Sequence, residues 1–233
     1  ETFLLAFTRL SRCRHPDRFS AWVGQLARKM CQRGLTGLEA LSGFPSTVGG
    51  AVYMNAGCYG TEIKDVLVRA TVVDAAGRLR KLSVDDLGAG YRSTALQGTG
   101  DIVTRATFEL TPGDGAAAME RIQQLNKRRW ESLPSGVPNA GSIFKNPAGE
   151  YAGRLIEAVG LKGRRRGGAE ISEKHANVIV NQGGATAAEV LWLMSEARRT
   201  VDERFGIALE PEIVLTGSLS AHWAQITDSV EVV

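Results

Sequence analysis

The groups with the clearest chemical potential in this sequence lie on the main chain. Between Gly34 and Gly60 it carries seven glycines in 27 residues, set among Pro45, Thr47, Asn55 and small side chains. Each interior glycine costs a helix about 1 kcal/mol relative to alanine. The segment therefore reads as turns with positive φ and close approach of main chain to a neighbour, not as a plain amphipathic helix. Such turns aim N–H groups at an anion, and the missing Cβ atoms leave room for a flat or pyrophosphate-bearing ligand. Gly49-Gly50 taken alone would equally suit a tight packing turn. No G-x-G-x-x-G opens a helix and no G-x-x-x-x-G-K-[ST] occurs, so neither the Rossmann nor the P-loop scheme applies. Cys13, Cys31 and Cys58 are odd in number and far apart without a C-x-x-C, which argues against a disulfide framework and a zinc site; no metal is expected.

Single side chains say less in isolation. Arg92, after Gly90 and Tyr91, would by itself be a surface or ion-paired arginine. Ser142 would be a turn or cap residue, and Glu212, next to Pro211, an exposed charge on an edge strand. The basic trio Lys127-Arg128-Arg129 suits the negative end of a helix.

The elements that must carry these groups follow from periodicity. Ser20 caps a helix with Trp22, Val23, Leu26, Ala27, Met30 and Cys31 on one face, closed by Gly34 in the left-handed region. Residues 66–74 and 78–82 read as a hairpin joined by Asp74-Ala75-Ala76-Gly77, and Ser83-Val84-Asp85-Asp86 starts a helix. In 102–110 the alternation puts Ile102, Thr104, Ala106, Phe108 and Leu110 on the inner face of a strand. After Pro112-Gly113-Asp114 a helix runs over 115–130 with Met119, Ile122 and Leu125 inward. A second unit begins near Pro134. Tyr151, Leu155, Ile156 and Val159 form a helix closed by Gly160, and 176–181 is a short apolar strand. Thr186 and Glu189 make a capping box for a helix burying Val190, Leu193, Met194, Ala197, Val201 and Phe205 up to Gly206. Residues 207–215 return as a strand interrupted by Pro211. The arginine-glycine stretch at 164–168 reads as a flexible basic loop, with a grip on a nucleotide phosphate as the secondary reading.

With 233 residues, 43% of them apolar, the chain can fill the cores of one or two domains. A net charge of +3 and a pI near 8.9 are mild and clustered, pointing to pockets for anionic small molecules before any nucleic-acid surface. The residues given contain no apolar run of 18 and no charged-then-apolar stretch with a small-residue cleavage site. A soluble cytoplasmic protein with neither nucleic-acid nor membrane partner is the expectation.

Three stretches carry a family resemblance. GLEALSGFPSTVGGAVYMNAGCYG, ending at Gly60, resembles the flavin-binding signature of the UDP-N-acetylenolpyruvoylglucosamine reductase (MurB) family of peptidoglycan synthesis. GYRSTALQ at 90–97 resembles its tyrosine-arginine motif. PNAGSIFKNPAGEYAGRLIEAVGLKG, continuing through GGAEISEKHANVIVNQGGATAAEV to LEPEI, resembles its substrate domain. The motifs keep the family order over residues 20–217.

The resemblance implies an α+β fold: a FAD-binding domain of the MurB/vanillyl-alcohol-oxidase type, incomplete, over 1–133, a smaller α+β substrate-binding domain over 134–209, and a return strand and tail over 210–233. It implies the short type lacking an extra tyrosine loop. The implied activity is NADPH-dependent reduction of the enolpyruvyl ether of a UDP-sugar, giving UDP-N-acetylmuramate, with FAD and NADPH as cofactors. Pro45, Ser46, Thr47, Gly49, Gly50, Asn55 and Gly57 would hold the flavin, and Tyr91, Lys145 and Asn146 the substrate. Hydride delivery to the methylene carbon leaves negative charge on the adjacent carbon and its carboxylate. The family stabilises that charge with an arginine and a protonated carboxylic acid, at positions matched by Arg92 and Glu212. It protonates the carbon from a serine hydroxyl, at the position of Ser142. His175 is expected to serve structure. A monomer is expected.

Some positions depart from the family pattern. Ser46 replaces a glycine, Thr94 a serine and Leu133 a glutamine. Residues 1–19, with a basic cluster that includes Arg12, Arg14, His15 and Arg18, match nothing in the family, and a glycine-serine-asparagine loop that wraps the flavin pyrophosphate is not found. With Glu1 in place of Met, the expectation is a partial gene product. The alternative function is a flavin-deficient fragment or remnant that binds UDP-sugar without catalysis; a flavin oxidase would require a different substrate domain.

Overall fold

The structure is a computed structural model that describes residues 22–43 and 45–215. The expected cap at Ser20, the basic segment before it, the side chain of Trp22 and the tail beyond residue 215 lie outside the described residues. The chain divides into two compact units between Arg129 and Trp130.

In the first unit, α1 (Trp22–Cys31) buries Val23, Ala27 and Cys31, and Gly34 follows it at φ 68°. Gly24 is required by packing: a Cβ there would collide with the carbonyl oxygen of Ser42. β1 (Leu35–Thr36) leads to a 3-10 turn over Glu39–Gly43, then to α2 (Val48–Tyr53) and the small hairpin β2 (Gly57–Cys58) and β3 (Thr61–Glu62). β4 (Leu67–Val73) is the centre of an antiparallel sheet between β5 (Leu79–Ser83) and β6 (Ile102–Phe108). Its inner face buries Ala70, Val72 and Val103 with Leu41, Val52, Ile63, Leu87, Leu96 and Ile122. α3 (Val84–Leu87) begins at the Ser83–Asp86 capping box, and β7 (Thr111–Pro112) pairs with β1. α4 (Gly115–Ser132) starts where the Asp114 carboxylate accepts the N–H groups of Ala116 and Ala117.

β6 corrects the expected alternation. Thr71 pairs with Arg105 but Val72 pairs with Val103, leaving Thr104 as a bulge. An extra residue in a strand with a two-residue side-chain period turns everything beyond it over. Val103 is therefore buried, and Ile102, expected inside, is exposed.

The second unit holds a four-stranded antiparallel sheet in the order β8-β11-β10-β9, built from β8 (Asn139–Ser142), β9 (Arg165–Arg166), β10 (Ala169–Ile171) and β11 (Val178–Asn181). The arginine run is thus not a flexible loop. Arg165 and Arg166 pair with Glu170 and Ala169, and the Arg165 guanidinium lies 2.5 Å from the buried Glu170 carboxylate. α5 (Ala152–Ala158) buries Leu155 and Ile156. α6 (Ala187–Phe205), capped by Thr186 and Glu189 and stopped at Gly206, buries Leu191, Leu193, Met194, Ala197 and Val201 against them. Residues 207–215 form no strand; a single bridge joins Pro211 to Phe144.

Candidate active-site residues in the two units

In the first unit the glycine-rich segment is organised by a short helix, which the sequence reading did not anticipate. Thr47 caps α2 by accepting the Gly50 N–H at 3.0 Å, so Gly49 and Gly50 are helical residues and not positive-φ turns. Positive φ falls on Gly34 (68°) and Gly37 (121°) before this helix, and on Asn55 (40°), Tyr59 (51°) and Gly60 (80°) after it, where the chain reverses into the β2–β3 hairpin. The Ser46 hydroxyl donates to the Thr47 carbonyl at 2.9 Å, and Pro45 is exposed.

Asn55 is almost fully buried and holds this reversal together. Its amide nitrogen donates to Glu62 Oε2 (3.0 Å) and to the Gly90 carbonyl (2.8 Å), and its oxygen accepts the Lys64 N–H (3.0 Å). The segment expected to hold the cofactor is thereby tied to the residue that opens the tyrosine-arginine turn.

That turn is tight. Gly90 and Ser93 exchange both backbone bonds across Tyr91 and Arg92, with Arg92 at φ 54°. A non-glycine residue in this region costs about 1–2 kcal/mol, and three groups hold it there. Arg92 Nη2 donates to the Gly57 carbonyl at 2.8 Å, and its guanidinium lies 4.9 Å from the Tyr91 ring centroid. Gln97 donates to the Arg92 carbonyl at 3.1 Å. Next to it, the Thr94 hydroxyl donates to the Tyr53 carbonyl at 2.6 Å. Gly57 cannot carry a side chain: a Cβ would stand 2.7 Å from Glu62 Cγ and 3.3 Å from Arg92 Nη1. Burial raises the pKa of the neighbouring Cys58 thiol, against the opposing charges of Arg129 and Arg92.

These residues fit a flavin nucleotide in kind. The Ser42 hydroxyl, inside the glycine-rich segment, is buried without a hydrogen-bond partner among the described residues. An orphaned donor beside side-chain-poor backbone suits a polar, planar ligand that supplies the partner. An open groove between Glu39, Asp114 and Glu120 on the same unit is acid-lined and contains none of the expected residues.

In the second unit the expected residues share one strip of chain. Ser142 ends β8 opposite Val178, and its hydroxyl makes no hydrogen bond among the described residues. The Glu212 N–H donates to the Ile143 carbonyl at 2.7 Å, and the Lys145 N–H to the Glu210 carbonyl at 2.8 Å, so the chain bearing Glu212 runs beside the chain bearing Ser142. Lys145 Nζ lies 2.5 Å from Glu210 Oε1. Asn146 Oδ1 accepts the Ala152 N–H at 3.1 Å, at the start of α5. His175 accepts the Asn177 N–H at 3.3 Å on Nδ1, and burial, helped by the Lys162 charge, lowers its pKa. Asn177 itself went unnoticed in the sequence. Its signal is a polar residue inside the apolar run 176–180, which must find hydrogen bonds when buried.

Comparison with known proteins finds matches to both parts of the chain. Residues 133–216 match the family described as UDP-N-acetylenolpyruvoylglucosamine reductase, C-terminal domain, and residues 21–83 match the FAD binding domain family. UDP-N-acetylenolpyruvoylglucosamine reductase 2 of Symbiobacterium thermophilum is 49% identical over 193 residues, covering 83% of this chain and 63% of the relative. The reductase of Lachnoclostridium phytofermentans is 46% identical over 195 residues, covering 84% and 63%. The chain thus spans 63% of the length of these curated relatives. The crystal structure of UDP-N-acetylenolpyruvylglucosamine reductase (MurB) from Thermus caldophilus matches with a TM-score of 0.74 at 39% identity, over 84% of this chain and 70% of that one.

Proposed function

We propose, because the chain belongs to the UDP-N-acetylenolpyruvoylglucosamine reductase family, that it reduces the enolpyruvyl ether of UDP-N-acetylglucosamine enolpyruvate to UDP-N-acetylmuramate at the expense of NADPH. FAD, when bound, would supply the hydride chemistry, accepting hydride from NADPH and passing it to the enolpyruvyl methylene carbon. Ser42, Ser46, Thr47, Gly49, Gly50 and Gly57 are the residues that would hold it, with Asn55 fixing their course. NADPH and the UDP-sugar would take turns in the same pocket.

The chain's own residues handle charge and proton. Arg92 binds the substrate carboxylate and stabilises the negative charge that spreads onto it, while Glu212 adds a hydrogen bond to the same charge. Ser142 delivers a proton to the carbon bearing the carboxylate and is reprotonated from water. Lys145 and Asn146 orient the phosphate or sugar, and Tyr91 packs beside Arg92. No helix among the described residues is long and apolar enough to cross a membrane, and we place the protein in the cytoplasm as a monomer.

The observation that carries this reading is the bond from Arg92 to Gly57, which ties the guanidinium of a residue held at positive φ to the segment that resembles a flavin site. The test is spectroscopic. The purified protein, supplied with FAD, should show a flavin visible band that NADPH bleaches anaerobically and the enolpyruvyl substrate restores. A protein that binds the UDP-sugar but never acquires the band would be a binding fragment and not a reductase.

A further inference from the structure

We infer that Asn177 is a positioning residue for Ser142, its side-chain amide standing in for a strand that ends one residue too early. The inference rests on Ser142 being the proton donor of the proposed reaction.

β11 faces β8 only as far as the pair Val178–Ser142. Beyond it the chain turns away, with the Val178 N–H bonded to the His175 carbonyl at 3.0 Å. Phe144 lies past that point and is fully buried, so its N–H and C=O would have no partner on this side. Asn177 supplies both. Its Oδ1 accepts the Phe144 N–H at 3.0 Å and its Nδ2 donates to the Phe144 carbonyl at 2.8 Å. Its main-chain carbonyl accepts the Ile143 N–H at 2.9 Å.

One residue therefore clamps the segment immediately after Ser142. On the other side of the segment, the Ile143 carbonyl takes the Glu212 N–H and the Glu210 carbonyl takes the Lys145 N–H. The clamp thus fixes the strip that carries Ser142 and Lys145 beside the strip that carries Glu212. Since the Ser142 hydroxyl has no hydrogen bond of its own among the described residues, its place is set by the backbone that Asn177 holds. Aspartate keeps the acceptor but loses the donor, and alanine makes neither bond. Proton delivery is sensitive to misplacement on the scale of about 1 Å.

The experiment compares Asn177→Asp and Asn177→Ala with the parent, and repeats Asn177→Asp in a Ser142→Ala background. Hydrogen exchange at the Phe144 amide reads the clamp without any reaction. Stopped-flow reads the two half-reactions of the FAD-supplied protein. We expect both single variants to speed exchange at Phe144. Both should slow the substrate-driven step by roughly tenfold to a hundredfold and leave the NADPH-driven step near parent. In the Ser142→Ala background the Asn177→Asp change should add almost nothing, because residues acting through one another are not additive. Unchanged substrate-driven rates, or an equal further loss without the serine, would overturn the inference. If Asn177→Ala does not fold, Asn177→Asp alone decides by the same two readouts. A parent protein that never reacts with the enolpyruvyl substrate overturns the functional reading and this inference together, whereas a reactive parent with additive variants overturns this inference alone.

Discussion

The two units present their candidate site residues in different ways. In the first, Arg92 projects from a two-residue turn held in an unfavourable backbone region by bonds from its own side chain to Gly57 and from Gln97. In the second, Ser142 sits at the end of a short strand, just after a register shift against β11, over a core of large buried side chains, with Phe144, Leu155, Ile156 and Leu193 almost wholly enclosed. One placement is made by backbone conformation and small residues, the other by burial and hydrogen-bond completion. The first should therefore be broken by adding atoms and the second by removing polar ones.

The largest expected effect separates the chemistry of the two. Ser142→Ala should slow substrate-driven reoxidation by roughly a hundredfold to ten-thousandfold, as for loss of a general acid, and leave reduction by NADPH near normal. Ser142→Cys should recover part of it, since a thiol with a pKa of about 8.5 is the better acid. Arg92→Ala should show the same selectivity, because it removes charge stabilisation that matters most in the transition state. Stopped-flow traces for the two half-reactions check both variants, and equal losses in each would mark a merely structural residue.

Adding atoms to the first unit comes next. Gly50→Val should abolish flavin retention. Its new Cβ would meet the Thr47 hydroxyl at 3.2 Å, in the cap that starts α2, and its branched side chain would stand where a ligand must approach the main chain. Flavin content after gel filtration reads the result, and unchanged content would discard the segment as a cofactor site.

The helix caps give a finer comparison. Thr186→Ala and Ser83→Ala each remove a side chain that accepts a backbone N–H, at α6 and α3. Loss of a cap costs about 1 kcal/mol, but α6 has 19 residues packed on a core and α3 only four. Thermal melts should show a clear fall for Thr186→Ala and a smaller one for Ser83→Ala. Equal shifts would mean that the short helix matters as much to its unit as the long one does.

The smallest effect is pH-dependent and confined to the second unit. His175 has a folded pKa below its ordinary 6.5 because burial disfavours the charged ring. The unfolded chain then binds more protons than the folded one between the two values, so stability rises with pH there. Stability should be full above about pH 6.5 and should decline as pH falls through and below that value. His175→Gln should flatten this part of the profile in denaturant titrations; an unaltered slope would assign it to other groups.

Local signals explain what could be read from the sequence alone. The face of α1, the Asp74–Gly77 turn of the β4–β5 hairpin, the helix start at Ser83 and the capping box at Thr186 depend on residues within a few positions of one another. So does the stop at Gly206, where φ reaches 65°. What could not be read depends on distant partners. The bulge at Thr104 is set by pairing with β4, and the positive φ of Arg92 by a carbonyl 35 residues away. The helical state of Gly49 and Gly50 runs against their propensity, and α2 packs Ala51 and Val52 into the core where tertiary contacts override it. For the site, the family resemblance named candidate residues from the sequence alone. The amides that hold them in place, Asn55 through Glu62 and Asn177 through Phe144, show only when the partners are in view.

Pro211 has a meaning for solubility as well as for pairing. Phe144 and Pro211 face each other between two flanking backbone bonds, so the backbone groups of Pro211 point away from the segment that carries Phe144. On that outward side proline has no N–H to offer, and a foreign strand looking for a ladder finds the donor missing at the centre of the segment. Glu212 thus lies next to a built-in block against strand-to-strand association.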